Sequence, residues 1–323
     1  MNSWVKGMQL IERATPQTLN DLVSLDRLVD DFKVWKNHQS YPQAMIFHGP
    51  PGTGKTSASH VIAREILGEH FDHMNFIETN ASDDRGIDFI RNELKFAMRA
   101  KAIGAQRKVV LLDEADGLTP TAQDAMRQII EKYSKNAMLI LTCNDLEKIR
   151  PAIRSRCKIY AFSPVKPADG ANRLVNILDT QWRARWFDLE LMLTRLVKLM
   201  NGDMRASIMF LDGTDPAELE NKLNMLEAFT SVDPATLAFD NEWEQLRRNL
   251  HALLDAGTPL PYVLSGFYRN MRKHFDIQAH PALWPMMAVY GDVLVHKHTW
   301  SGDDYSYLDY MVAKMKMESE KNE

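Results

Sequence analysis

Along the first half of the chain, compact apolar runs alternate with longer segments whose apolar positions recur at helical spacing. Ala44-Met45-Ile46-Phe47-His48 runs apolar into a glycine-rich turn and predicts a buried strand. Ser57 to Leu67 carries helical periodicity and stops at Gly68. Asn75-Phe76-Ile77-Glu78 predicts a second strand, and Ile87 to Ala102 an amphipathic helix. The alternation continues with a strand over Lys108–Asp113, a helix over Thr121–Tyr133, and buried strands over 137–142 and 158–162. Strands separated by helices in this way indicate a parallel, three-layer α/β domain. Residues 1–42 predict a helical lead-in punctuated by Pro16 and Pro42.

Beyond Pro167 the strand signal vanishes. Residues 168–212 read as three short helices, and 216–323 as further helices broken at Pro234, Gly257, Pro259 and Pro281. The expected division is an α/β domain over 1–165, a helical domain over 166–214 and a second helical domain over 215–323. Two or three domains suit 323 residues. No run of eighteen apolar residues exists, so no membrane span is expected. The first residues lack the apolar core of a secretory signal, and the only cysteines, Cys143 and Cys157, match no zinc spacing, so a reducing, cytoplasmic setting is expected. The net charge of −4 excludes a surface that is basic overall, so any nucleic-acid contact must be a local patch.

The chemistry begins at Gly49-Pro50-Pro51-Gly52-Thr53-Gly54-Lys55-Thr56, which matches G-x-x-x-x-G-K-[ST] between a predicted strand and a predicted helix. Glycines let backbone N–H groups curl around phosphate oxygens, and the helix N-terminus favours the anion. Lys55 places its charge on the β- and γ-phosphates, and the Thr56 hydroxyl suits Mg²⁺. Further along, Asp113 closes a buried strand and is followed by Glu114 and Asp116. Asp113 suits Mg²⁺ or its waters, and Glu114 would orient or deprotonate an attacking water. Asp116 is open between a site role and capping the next helix. The pair of acids points to ATP hydrolysis.

Four segments carry a family resemblance: the phosphate loop, Asn80-Ala81-Ser82-Asp83-Asp84-Arg85-Gly86, Leu112-Asp113-Glu114-Ala115-Asp116-Gly117-Leu118-Thr119, and Ile153-Arg154-Ser155-Arg156-Cys157. Together they resemble the AAA+ ATPases of sliding-clamp loaders, the replication factor C small-subunit family. The resemblance implies an α/β P-loop module with a parallel five-stranded sheet, a helical lid and an all-α C-terminal collar. It implies ATP and Mg²⁺ as ligands. The implied partners are a sliding clamp, primer–template DNA and other loader subunits in a pentamer. At matching positions, Asn144 looks like sensor 1 and Arg156 like the arginine finger that serves a neighbour's ATP, with Arg154 two residues away as its possible substitute. Gly202-Asp203-Met204-Arg205 is similar to sensor 2, with Arg205 reaching the γ-phosphate in cis. Leu22 and Val23 would contribute apolar contacts to the adenine, although Glu12-Arg13-Ala14-Thr15-Pro16 departs from the Tyr-Arg-Pro usual in the family.

Arg91, Lys95 and Arg99 recur every four residues and so share a helix face, with Arg85 just before them. Alone, this reads as a solvated face beside Asp88 and Glu93. The resemblance makes it a track for the phosphate backbone, binding without regard to base sequence. Two other readings stay open: another DNA-associated AAA+ motor (a helicase or an initiator), and a structural subunit that does not hydrolyse ATP.

Overall fold

The computed structural model describes residues 10–81, 86–185, 188–231, 242–255, 283–296 and 300–320, together with positions 258, 260, 261, 263, 264, 266–268 and 271. The chain divides into two compact units, residues 1–177 with 201–205, and residues 178–200 with 206–323.

In the first unit, five parallel strands form one sheet: β1 (Ala44–His48), β2 (Phe76–Asn80), β3 (Lys108–Asp113), β4 (Ala137–Cys143) and β5 (Lys158–Ala161), in the order β2-β3-β4-β1-β5. The inner strands are apolar except near their ends, at His48, Lys108, Asp113 and Thr142, because both faces are covered. Alternation assigns their side chains to two cores. Ala44, Ile46, Val110, Leu112, Leu139 and Leu141 pack with Phe89, Ile90, Leu94, Met98, Met126 and Ile130 from the helices over 87–99 and Pro120–Tyr133. Met45, Phe47, Val109, Leu111, Met138 and Ile140 pack with Leu28, Phe32, Ala58 and Ile62 from the helices Asp26–His38 and Lys55–Leu67. The result is the expected sandwich of helices on both sides of a parallel sheet.

The segment over 87–99 ends earlier than the periodicity predicts and contains a wider turn, Ile90–Leu94, of π-type hydrogen bonding. It closes at Ala100, which adopts extended backbone, while Asn136 Nδ2 donates to the Arg99 carbonyl at 2.9 Å. Residues 168–212 hold four helices instead of the expected three: Pro167–Ile177, Thr180–Arg185, Leu189–Leu199 and Met204–Asp212. The short helix at 180–185 is the addition; Asp188 and Asn201, the latter in left-handed backbone, separate the later ones.

The second unit is helical in every described element. Arg195 forks onto Glu227, at 2.9 Å from Nε and 2.6 Å from the second terminal nitrogen, joining helices 189–199 and 219–231. Asp309 accepts from Arg247 Nε at 2.6 Å and pairs with His251 Nε2 at 2.7 Å, tying helix 304–320 to helix 243–255. The buried Tyr307 hydroxyl donates to the Val293 carbonyl at 2.6 Å.

One buried side chain fastens the loops beside the sheet's C-terminal edge. Gln123, 3% exposed, donates to the Leu118 and Lys148 carbonyls at 3.2 and 3.0 Å and accepts from Arg150 N at 2.9 Å. Gln123→Ala strands these backbone groups in the interior and is expected to cost about 2–3 kcal/mol, read as a lower denaturant midpoint. An unchanged midpoint contradicts this assignment.

Candidate nucleotide-binding site

The strands are parallel, so β1, β3 and β4 release their following loops on one side of the sheet, where α/β folds bind ligands. The loop after β1 is the Gly49–Thr56 segment. Gly49 leaves the strand at φ +144° with its N–H donating to the Cys143 carbonyl at 3.2 Å, and a side chain there would collide with the Phe162 carbonyl at 2.0 Å. Gly52 has φ +74°, and a Cβ on it would fall 1.9 Å from a carboxylate oxygen of Asp203. Thr53 Oγ1 donates to the Pro50 carbonyl at 2.8 Å, and Gly54 precedes the first turn of helix 55–67. Loop and helix therefore present backbone N–H groups and a favourable dipole to one cleft.

Pro51, Gly52, Gly54, Lys55 and Thr56 line that cleft from one side, Asp113, Glu114, Thr142 and Asn144 from the other, and Arg205 completes it. Lys55 Nζ donates to the Gly49 and Pro50 carbonyls at 2.7 and 2.9 Å and to Asn144 Oδ1 at 3.0 Å. Burial pulls the Lys55 ammonium below its usual range, the nearby Arg205 adds to that, and Asp113 opposes it. A partly desolvated cation beside a second cation is poised for a polyanion. Thr56 Oγ1 donates to Asp113 Oδ2 at 3.0 Å. Two hard oxygen donors side by side suit Mg²⁺, which keeps waters and takes few protein ligands.

Asp113 is held from behind. Thr142 Oγ1 donates to Asp113 Oδ1, and Glu114 N donates to Thr142 Oγ1 at 3.1 Å and Asp113 Oδ1 at 3.2 Å. These bonds accompany a left-handed backbone at Glu114, φ +54° and ψ 40°, which turns its side chain out of the strand's line. Thr142 opens the segment Thr142-Cys143-Asn144 that looks like sensor 1, but its hold on Asp113 is not legible in the sequence beyond a lone hydroxyl in a strand otherwise apolar to Cys143. Asp116 does not cap the next helix: Thr119 does, accepting from Ala122 N at 3.3 Å, because Pro120 fixes the start there. Asp116 instead accepts from Asp145 N at 3.4 Å, joining the loops after β3 and β4.

The remaining expected residues stand elsewhere. Leu22 packs against the core of Phe32 and Met45, and Val23 is half-buried; neither lines the cleft. Their segment is strapped to helix 167–177 by Ser24 with Asp169 at 2.8 Å and by Arg173 with Asp21 at 2.5 Å. Arg156 also lies away from the cleft lining, with Nε 2.6 Å from Glu131. Arg154 pairs with Glu147 at 2.9 Å. Arg91, Lys95 and Arg99 are all exposed, one position beyond the buried Ile90, Leu94 and Met98. Arg85 lies outside the described residues.

Residues 45–165 match the model of the ATPase family associated with various cellular activities (AAA). The replication factor C small subunit of Methanosphaera stadtmanae is 40% identical over 209 residues, 64% of this chain and 63% of that relative's length. That of Saccharolobus solfataricus is 33% identical over 331 aligned positions, 98% of this chain and 96% of that protein. The chain belongs to the replication factor C small-subunit family. Replication factor C subunit 5 of Homo sapiens is a further relative, 37% identical over 66% of this chain and 62% of its own length. Among solved structures, the Thermotoga maritima RuvB Holliday junction branch migration motor is similar at 15% identity and a TM-score of 0.49 over 67% of each chain, too distant to bear on function.

The two cysteines, Cys143 in the cleft lining and Cys157 outside it, are both held as neutral thiols. Burial pushes both the Cys143 and Cys157 thiols up to about 12. The neutral thiol, which is the poor nucleophile, is therefore the dominant form at both positions near neutral pH. Native protein is expected to resist iodoacetamide at both positions, and denatured protein to take up two labels, counted by mass spectrometry. Rapid native labelling contradicts the burial described.

Proposed function

We propose that this chain is an ATP-hydrolysing subunit of a sliding-clamp loader that acts on primer–template DNA. The observation that supports the ATPase reading most directly is that Lys55, Thr56, Asp113 and Asn144 meet in one cleft through hydrogen bonds of 3.0 Å. In this reading Lys55 exchanges its carbonyl partners for the β- and γ-phosphates. Thr56 and Asp113 would hold Mg²⁺, which would supply positive charge to offset that of the phosphates. Glu114, turned out of β3, takes the proton of the attacking water or orients it, with Asn144 beside it. Arg205 supplies a second positive charge from its own chain.

Arg156 stands outside its own cleft lining, which fits a guanidinium that serves the ATP of an adjoining subunit. Leu22 and Val23 stand outside the lining of the phosphate end and would meet the adenine only where the base extends beyond it. The helices over 166–214 act as a lid, and those over 215–323 as the collar that gathers subunits into a pentamer. ATP binding lets the assembly open a ring-shaped clamp and engage DNA, and hydrolysis releases both. The exposed row Arg91, Lys95 and Arg99, with Arg85 before it, follows the phosphate backbone.

Turnover by the purified chain with its partner subunits is expected to rise when both primer–template DNA and a sliding clamp are added; indifference to either points to another AAA+ machine. Glu114→Gln should keep nucleotide affinity while lowering kcat by about a hundredfold or more, whereas Lys55→Ala should lose the affinity itself. Equal loss of affinity in both variants speaks against this division of labour.

For DNA, Arg91→Ala should weaken binding to all sequences alike and shrink the slope of log K against log salt by about one unit. An unchanged slope removes Arg91 from the track.

A further inference from the structure

Each nitrogen of the Arg156 guanidinium has a partner inside its own chain. Nε donates to Glu131 Oε1 at 2.6 Å, one terminal nitrogen pairs with the same carboxylate, and the other donates to the Ala152 carbonyl at 2.7 Å and to Ser155 Oγ at 3.2 Å. All three nitrogens are thus committed, although a finger must offer its N–H fork to a phosphoryl group. Glu131 sits in the last turn of helix 120–133, where the helix dipole disfavours a carboxylate, so the contact with Arg156 offsets a local cost. Both side chains remain open to water, 32% exposed for Arg156 and 49% for Glu131. Such a pair is weak enough to exchange for a more highly charged partner.

We propose that Glu131 is a positioning residue that latches Arg156 in a docked state, and that the latch opens when the guanidinium passes to a neighbour's triphosphate. This inference rests on the reading of Arg156 as a residue acting in trans. The carboxylate competes directly with the phosphoryl oxygens for the same N–H groups, so the latch holds down hydrolysis in an assembly not yet engaged with DNA. Engagement needs only to bring the neighbour's triphosphate within reach; no residue of the latch has to unfold. Because Glu131 lies outside the cleft lining, its removal acts on the availability of Arg156 and leaves nucleotide binding as it was.

The test uses the assembled complex containing this chain and follows ATP turnover without DNA. Glu131→Gln should raise kcat by about threefold or more with KM for ATP unchanged, Glu131→Asp should restore the low rate, and the Glu131→Gln/Arg156→Ala pair should fall to the Arg156→Ala rate. If Arg156→Ala is slow but Glu131→Gln is no faster than the parent, the latch is overturned and the finger stands. If Arg156→Ala turns over at the parent rate, the finger reading itself falls. Should Glu131→Gln fail to assemble, phenylglyoxal labelling of the full chain decides: faster modification of Arg156 in Glu131→Ala supports the latch, and equal rates overturn it.

Discussion

A single carboxylate organises the catalytic edge of the first unit. Asp113 Oδ1 is fixed by Thr142 and the Glu114 N–H, and Oδ2 by Thr56 across the cleft. Strands β3 and β4 and the first turn of helix 55–67 are therefore joined through side chains as well as through the sheet. The strain of a left-handed Glu114 is sustained by those bonds, and that conformation is what takes the next carboxylate out of the strand. Remove the clamp on Asp113 and both the orientation of its carboxylate and the position of Glu114 are lost together.

What could be read from the residues alone follows from how local each constraint is. The phosphate loop was legible because its glycines serve backbone geometry at fixed spacing, and Gly49 and Gly52 indeed have no room for side chains. The inner strands were legible because burial on both faces leaves continuous apolar runs. The helix at 180–185 was missed since short helices carry little periodicity. The wide turn at 90–94 was missed since its extra residue leaves the apolar stripe of Ile90, Leu94 and Met98 intact. Thr142, Gln123 and Glu131 escaped for a different reason. Each acts on partners distant in sequence, and nothing beside them in the chain announces those partners.

Lys55 in the cleft and Arg156 outside it are two cations supported differently. Lys55 is partly buried and loaded onto carbonyls, so its charge is destabilised until a polyanion arrives. Arg156 is satisfied and half-exposed, with its charge already balanced by Glu131. The first arrangement favours binding as such. The second, an ion pair open to water, is weak enough to give way to a more highly charged partner.

The backbone of the phosphate loop is also fastened to the far side of its own cleft. Met204 N donates to the Gly52 carbonyl at 3.1 Å, Val165 N donates to the Gly202 carbonyl at 3.0 Å, and Arg205 follows directly in sequence. This makes residues 202–204 a strut. The backbone of the phosphate loop and the base of the Arg205 side chain, one peptide away, thus belong to one hydrogen-bonded segment, with neither solvent nor a flexible side chain between them.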